Sequence, residues 1–545
     1  MTTFACWCAC VAILIQMVQG EMFTSLAAMQ SAIWAEGEIA ATIKDYIQEE
    51  EARLDKLKQL AADMHSHSNR VLKNPEQYLG NPVNAYLLIK GFTIDWDRDI
   101  TGELAPIKPD LEERIQDLKE SLPSYEDLNG AVVALLRLQD TYKLDTDRIA
   151  GGDLQGLPSV SLTADDCFEL GRVAYHDLDY YHTSLWMEVA LNKLDKEVNK
   201  TVHRKDILDY LSFSVYKEGN VNYALTLTEE LLTLAPDNTR AQNNKRYYKK
   251  MINDRAAEAK RVSSQRGETG EDIVEEKEEE VEVKHERKLD DYRKSEEFAT
   301  YEKLCRGEET HVYKHKHRLV CRHFTNNMHP LLVLCPMRLE EIYLDPYLIF
   351  FHQALSEYEM SVIKDLATPR LNTATVRNPE TGVIETASYR ISKSAWLKDD
   401  DDMVIRRVNS RIQAATGLDM TTAEDLQIAN YGLGGHYEPH FDFARKEETH
   451  AFKSLGTGNR IATWLTYMSD VEAGGATVFP YIGVKIFPEK GGAAFWYNLY
   501  KSSEGIYNTR HAACPVLVGT KWVSNKWIHE RGQEFRRPCG LHPNE

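Results

Sequence analysis

Ile428-Ala-Asn-Tyr-Gly-Leu-Gly-Gly-His-Tyr-Glu-Pro-His-Phe-Asp442 is the stretch around which the chain is organised. At its end His440 and Asp442 stand two residues apart. On an extended strand residues i and i+2 share a face, so this imidazole and carboxylate can hold one edge of a metal ion. A third ligand must come from elsewhere. His511 is the leading candidate, and Lys521 follows it. Two histidines and one carboxylate with open positions form the ligand set of non-haem Fe(II) oxygenases. A lone His-x-Asp is also what two polar residues at a strand end look like, so the rest of the chain must support the sharper reading.

The chain has 545 residues, room for about three domains. Its formal charge of −19, from 84 acidic against 65 basic residues, argues against a nucleic-acid surface. The apolar run Phe4 to Val18 suits a secretory signal peptide over residues 1–20 and is short for a membrane span, although its start lacks Lys or Arg. A buried N-terminal helix is the alternative. No later stretch is long and apolar enough to span a bilayer, so a luminal or secreted mature chain is expected. Of nine cysteines, six then remain: Cys167, Cys305, Cys321, Cys335, Cys514 and Cys539. An oxidising compartment favours pairing, and the short loops Cys305–Cys321 and Cys514–Cys539 are the preferred pairs. Asn199-Lys-Thr201 is a glycosylation sequon.

Residues 21–160 read as helical. Ile39, Ile43, Tyr46, Ile47, Leu54, Leu57, Leu60 and Met64 recur at three- and four-residue spacing, giving an amphipathic helix with a coiled-coil-like stripe or an ordinary bundle helix. Residues 161–255 differ. Thr163-Ala-Asp-Asp166 is a capping signal, and helical runs follow at about 164–177, 180–197, 205–217, 221–235 and 237–252. Leu211, Ala224 and Pro236 take tetratricopeptide positions around a Gly219-Asn220 turn. Tyrosines are abundant on these helices. Each one singly reads as core filler; together they suit a groove for proline-rich peptide. From Glu268 to Glu286 acidic side chains dominate, and residues 256–335 read as an acidic linker followed by a disulfide loop. Five histidines between His311 and His329 lack zinc-finger spacing and read as part of a basic loop.

Residues 336–545 turn mixed α/β. Tyr347–Phe351 reads as a strand, and 356–368 and 401–416 as helices. Short apolar runs at 426–431, 437–443, 461–468, 475–481, 484–487, 493–498, 511–518 and 522–529 predict a jelly roll. In that fold the His440 strand pairs with a late strand carrying His511. Lys521 on the following strand is either a surface residue or a buried cation that needs an anion. The fold class expected is therefore multidomain: two all-α domains, the second tetratricopeptide-like, followed by an α+β domain with a double-stranded β-helix core.

Four segments carry a resemblance: Tyr431–Ala444, Gly458–Leu465, Gly474–Pro480 and Thr509–Trp522, extended upstream through Leu162–Gly171 to the N-terminal helices. The chain resembles the alpha subunits of the collagen prolyl 4-hydroxylases, within the Fe(II)/2-oxoglutarate dioxygenases. The resemblance implies a procollagen-proline 4-dioxygenase that hydroxylates C4 of proline in X-Pro-Gly and converts 2-oxoglutarate and O2 to succinate and CO2, with ascorbate as a supporting reductant. It implies iron ligation by His440, Asp442 and His511, and a grip by Lys521 on the distal carboxylate of 2-oxoglutarate. Tyr431 and Thr477 match cosubstrate contacts, and Arg460 and Trp527 match pocket positions. Peptide binding is implied for Tyr210, Phe213, Tyr216, Arg240, Asn244 and Tyr247; Phe213 stands where relatives often have tyrosine. The two preferred cysteine pairs match the family's disulfides, leaving Cys167 and Cys335 as free thiols. An N-terminal dimerisation domain over 21–160, alpha–alpha self-association, and protein disulfide isomerase as beta subunit of a two-alpha, two-beta assembly in the endoplasmic reticulum lumen are implied too. Leu541–Glu545 carries no Lys-Asp-Glu-Leu-type signal, which retention through a partner accounts for. The competing expectations are a related secretory-pathway hydroxylase of another proline-rich substrate and a non-catalytic peptide-binding scaffold.

Overall fold

A computed structural model describes residues 26–96, 123–265, 285, 287, 289–377, 384–386, 389–432, 434–448, 452 and 455–543. The signal peptide expected over 1–20 and most of the acidic run after Glu268 lie outside these residues. Two units are distinguished, one containing residues up to 75 and the other containing 76–94 and everything from 118 onward.

The first unit is dominated by helix α1, Leu26–Val71. Ile43, Tyr46, Ile47, Leu54 and Met64 of the predicted stripe are exposed on it.

In the second unit, α2 (Pro82–Lys90) starts where Asn81 caps it and Pro82 occupies its first turn. Helix α3 (Tyr125–Tyr142) opens on a capping box between Ser124 and Asp127. The tetratricopeptide-like layer follows as α4 (Ala164–His176), α5 (Tyr180–Leu194), α6 (Arg204–Glu218), α7 (Val221–Leu234) and α8 (Thr239–Gln265). The predicted cap is present: Thr163 and Asp166 exchange the bonds of a capping box at the start of α4. Gly171 on α4 lies so close to Met187 of α5 that a Cβ would come within 3.0 Å of it. Leu211 and Ala224 are fully buried between α6 and α7, and Gly219 ends α6 at φ 106°, a conformation that favours glycine.

Two antiparallel sheets form the C-terminal half. The strands used below are β1 (Cys321–Phe324), β2 (Met337–Leu344), β3 (Tyr347–His352), β4 (Asn372–Thr373), β5 (Arg390–Ile391), β6 (Lys393–Leu397), β7 (Leu426–Tyr431), β8 (His436–His440), β9 (Arg460–Tyr467), β10 (Thr477–Phe479), β11 (Val484–Ile486), β12 (Ala493–Tyr497), β13 (His511–Ala513) and β14 (Lys521–His529). The large sheet runs β1-β2-β3-β12-β9-β14-β7-β6-β4, and the small one β11-β10-β13-β8-β5. Between them lies a core that includes Phe350, Tyr431, Tyr467, Phe479, Trp496 and Val523. Helices α10 (Glu357–Ala367) and α11 (Met403–Thr416) cover the other face of the large sheet through Met360, Ile363, Ile405, Val408 and Ile412. The jelly roll is thus the predicted one, enlarged by β2 and β6, which the sequence pattern did not announce.

Two expectations are corrected. The run 511–518 is not one strand: it breaks at Cys514-Pro515 into His511–Ala513 and Val516–Val518, because proline donates no ladder hydrogen bond. The cysteine pairs also differ. Cys305, at the end of α9 (Glu296–Cys305), is bonded to Cys514, while Cys321 and Cys539 are exposed free thiols alongside free Cys167 and Cys335. Helix α9 lies against β10 and beside the β13 segment, so Cys305 meets Cys514 across the packing and not Cys321 along the chain. Beyond the acidic run, the chain is held before β1 begins. His285 bridges Glu188 and Glu218, Arg287 bonds Asp140, and α9 buries Phe298, Tyr301 and Leu304.

Candidate active site

Strand β8 pairs with β13 so that His440 and His511 face each other directly across the ladder. The ladder shifts register between Tyr437 and His440, and the ring of Tyr437 stacks on that of His440 with 3.5 Å between centroids. Asp442 lies just past the end of β8, its Oδ1 3.8 Å from His440 Nε2 and its Oδ2 3.6 Å from His511 Nε2. One ligand atom from each of the three lies within 4.8 Å of the others, the single such group found among the described residues.

Hydrogen bonds fix how each ligand is presented. The Nδ1 atoms of His440 and His511 face the carbonyl oxygens of Glu438 and Thr509 at 2.8 and 3.0 Å. Donation to those carbonyls leaves Nε2 of both rings as a free lone pair, the usual arrangement of metal-ligating histidine. Thr463 donates its hydroxyl to Asp442 Oδ2 at 2.7 Å, and Asn498 donates to Thr463 at 2.9 Å. Burial opposes the charge on Asp442. His511, His440, Arg460 and the Thr463 hydroxyl outweigh it and hold the carboxyl at about 2. Burial, then the neighbouring His511, pushes His440 well below its ordinary value, so it is neutral and able to ligate.

Beneath this triad lies the cation. Lys521 opens β14 opposite Tyr431 of β7 and is 1% exposed. Its Nζ sits 5.3 Å from the centre of the Tyr431 ring and 5.7 Å from that of Tyr467. Among the described residues no carboxylate forms an ion pair with it, and burial alone lowers its pKa to about 7. Tyr467 donates to Thr477 Oγ1 at 2.7 Å, which leaves the Thr477 hydroxyl hydrogen available to an acceptor in the same narrow cleft. A lysine without an ion-pair partner among the described residues at the floor, and two histidines with an ionised aspartate above it, fit a bound Fe(II) and a dicarboxylate spanning the two.

The cleft opens into a mouth of about 580 Å3 lined by Tyr389, Arg390, Tyr437, Arg460, Arg510 and Trp527, among others. Arg460 is not a free cation there. It makes two bonds to Glu424, at 2.5 and 3.0 Å, and its guanidinium lies 3.8 Å from the centre of the Trp527 ring. His529 reaches the same carboxylate at 3.0 Å. Burial opposes the charge on Glu424, but Arg460 and His529 keep it ionised at about 2. Thr463, Asn498, Tyr437 and Arg390 escaped the sequence reading. The alternation of β9, which turns Thr463 inward with the site, is the signal that could have found the first of them.

The tetratricopeptide-like layer carries a second surface. Tyr175, Tyr180, Tyr210, Phe213, Tyr216, Tyr247 and Tyr248 form a continuous series of ring contacts 4.8–6.0 Å apart, most of them edge-to-face. Arg240 lies over Phe213 at 5.0 Å, donates to the Tyr175 hydroxyl at 2.6 Å and pairs with Asp209. Asn244 is half-buried and Tyr247 is half-exposed on the same helix, α8. Four of the predicted peptide-binding residues are thus joined in one aromatic ladder, Arg240 lies over it, and Asn244 lies on the helix that completes it. The tyrosines divide: Tyr248 is core, while the others keep a face outward.

Family models match three parts of the chain: the prolyl 4-hydroxylase alpha-subunit N-terminal region at 25–156, the prolyl 4-hydroxylase peptide-substrate-binding domain at 164–254, and the 2OG-Fe(II) oxygenase superfamily at 426–529. Prolyl 4-hydroxylase subunit alpha-1 of Bos taurus is 49% identical over 521 residues, 95% of each chain, and the Homo sapiens protein 48% over the same span. Prolyl 4-hydroxylase subunit alpha-2 of Caenorhabditis elegans is 45% identical over 97% of this chain and 95% of its own. With its triad, its buried lysine and relatives of this identity along nearly its whole length, the chain belongs to the prolyl 4-hydroxylase alpha-subunit family of 2OG-Fe(II) oxygenases.

Proposed function

We propose that this chain hydroxylates C4 of proline in X-Pro-Gly sequences of procollagen. The observation that carries this is the vertical order of the site: His440, Asp442 and His511 above, an unpartnered Lys521 below, and a wide mouth on the far side. When bound, Fe(II) and 2-oxoglutarate supply the oxidation, with O2 as oxidant and succinate and CO2 as products. The chain's own groups hold and orient. His440, Asp442 and His511 offer three ligands on one side and leave the other side open. Lys521 neutralises the distal carboxylate, with Tyr431 and Thr477 lining its channel. Tyr437, Trp496 and Phe479, packed around the two histidines, keep water out. Arg460, locked to Glu424 and stacked on Trp527, stiffens the wall where the proline enters.

The aromatic ladder, through Tyr210, Phe213, Tyr216, Arg240, Asn244 and Tyr247, holds extended proline-rich chain, which arrives with little conformational entropy to lose. Domain limits of 21–160, 161–255, 256–335 and 336–545 belong to this reading. So do ascorbate as the reductant that restores oxidised iron, protein disulfide isomerase as a beta subunit, a two-alpha, two-beta assembly and residence in the endoplasmic reticulum lumen. The exposed stripe on α1 supports alpha–alpha self-association, and exposed Asn199 between α5 and α6 supports glycan attachment. No helix among the described residues is long and apolar enough to cross a membrane.

The test is incubation with (Pro-Pro-Gly) repeats, Fe(II), 2-oxoglutarate and O2. A gain of one oxygen atom per modified proline with matching succinate is expected. Oxidation of another proline-rich peptide instead would move the assignment to a related hydroxylase. Peptide binding without peptide-dependent succinate would leave a scaffold.

A further inference from the structure

The outer face of the small sheet is covered by the first half of the chain. Ala476, Val478, Ala512, Cys514, Leu517 and Val518 share one hydrophobic core with Tyr86, Leu135, Leu138, Tyr142 and the α4–α7 interior. Within this core, three contacts fall at the ends of the strands that carry the site residues.

The first precedes β8 and therefore His440. Gly434 lies at φ 56°, and a Cβ there would come within 2.9 Å of the Ala134 Cβ on α3. Arg137, one turn further along α3, donates to the Gly434 carbonyl at 3.4 Å. The second follows β13 and therefore His511. Tyr142, at the end of α3, donates its hydroxyl to the Pro515 carbonyl at 2.5 Å. The third precedes Lys521. Gly519 donates its N–H to the Gly80 carbonyl at 2.6 Å, and a Cβ on Gly80 would come within 2.9 Å of the Gly519 Cα. This approach leaves no room for a side chain at position 80, while Gly519 is held to glycine by its own φ of 99°. One of the glycines in the Tyr-Gly-Leu-Gly-Gly-His stretch is therefore required by a helix some three hundred residues earlier in the chain, not by the metal.

We propose that Arg137, Tyr142 and Gly80 are positioning residues for the oxygenase site, acting through the backbones that carry His440, His511 and Lys521. This rests on the assignment of those three residues to the metal and cosubstrate. Arg137 and Tyr142 hold the ends of the two paired ligand strands, and Gly80 holds the turn into the lysine strand. A carbonyl clamped at a strand end limits the in-plane sliding of that strand. In a ladder where His440 and His511 face each other, such sliding changes the distance between the two Nε2 atoms.

The test uses the full-length chain in its native assembly, stripped of metal, titrated anaerobically with Co(II), whose visible absorption reports its ligand geometry. Tyr142→Phe removes one hydroxyl and keeps the ring; Arg137→Gln removes the charge; Leu211→Ala, buried between α6 and α7 and away from the three contacts, serves as a control that loses thermal stability. Tyr142→Phe and Arg137→Gln are expected to weaken Co(II) binding about tenfold, the lower end of the range for changes outside the ligand shell. Their absorption bands should shift, while Leu211→Ala leaves affinity and bands as in the wild type. Gly80→Ala is expected to raise the KM for 2-oxoglutarate with metal affinity unchanged. Unaltered Co(II) affinity and spectrum in both α3 variants would overturn the proposal, and so would an equal loss in Leu211→Ala. Failure of the wild type itself to bind Co(II) would instead strike at the ligand assignment on which the proposal rests.

Discussion

Replacing Lys521 with methionine should make the metal-free chain harder to unfold while ending its response to 2-oxoglutarate. Burial lowers the Lys521 pKa from 10.5 to about 7. The unfolded chain therefore binds more protons than the folded chain between those values, and stability rises with pH across the window. Below pH 7 the cost is present in full. The difference 10.5 − 7 = 3.5 pH units corresponds to about 5 kcal/mol. Near pH 9.5 roughly 1 kcal/mol of it remains, because the unfolded lysine is itself close to losing its proton. Methionine fills a similar volume without a charge, so it removes the cost and leaves the packing. The assay is thermal melting of the metal-free wild type and Lys521→Met at about pH 6.5 and about pH 9.5. At the lower pH the oxygenase transition of the variant should lie roughly 10 °C higher, and at the upper pH only a few degrees higher. Added 2-oxoglutarate, with Mn(II) in place of iron, should raise the wild-type transition by mass action and leave the variant's unmoved. A variant that melts below the wild type at the lower pH, or a gap that does not narrow as pH rises, would refute the picture of a desolvated, unpartnered lysine.

Other perturbations probe the remaining parts. Asp442→Ala should abolish turnover and metal retention together, checked by metal analysis after gel filtration, since two imidazoles without the carboxylate make a poor site. Arg460→Lys should lower the melting temperature and slow turnover, because lysine replaces neither the two-pronged bond to Glu424 nor the stack on Trp527; circular dichroism and succinate release measure the two effects. Phe213→Ala should raise KM for long proline-rich peptides severalfold with kcat nearly unchanged, the signature of lost uniform binding, and a tripeptide-length substrate should not register the change. Mass spectrometry of the non-reduced, digested chain should recover a Cys305–Cys514 crosslink with Cys321 and Cys539 alkylated; a Cys305–Cys321 crosslink would contradict the observed packing of α9.

Much of the site is legible in the sequence because its residues are local in pattern. His440 and Asp442 announce themselves by spacing, and His511 and Lys521 by a histidine and a lysine set in apolar strands. The helices of the tetratricopeptide-like layer follow from caps and periodicity, as Thr163 and Gly219 illustrate. What escaped was set by tertiary contact. Cys305 is the last residue of a helix that packs against the small sheet, so its nearest cysteine in space is distant in sequence. Arg460 looks like a free cation until Glu424, a loop residue without a pattern of its own, is seen against it. Strands β2 and β6 alternate weakly, with charged residues on an exposed or edge-facing side, and the period-2 signal fades there.

The joint core of the helices and the small sheet bears on how the protein is made. A ribosome releases α2 to α7 first, and they present an apolar surface without its cover until the last strands emerge. His440 and Asp442 leave the exit tunnel as a pair with no third ligand, and Lys521 follows only near the end, on a strand that must slot between β7 and β9. On the proposed reading, a chain cut short anywhere before residue 511 thus holds neither the full His440, Asp442, His511 group nor Lys521. An iron-dependent oxidase active on an unfinished chain would damage its own surroundings. Here the order of synthesis would delay that chemistry until the strand that begins at Lys521 has emerged.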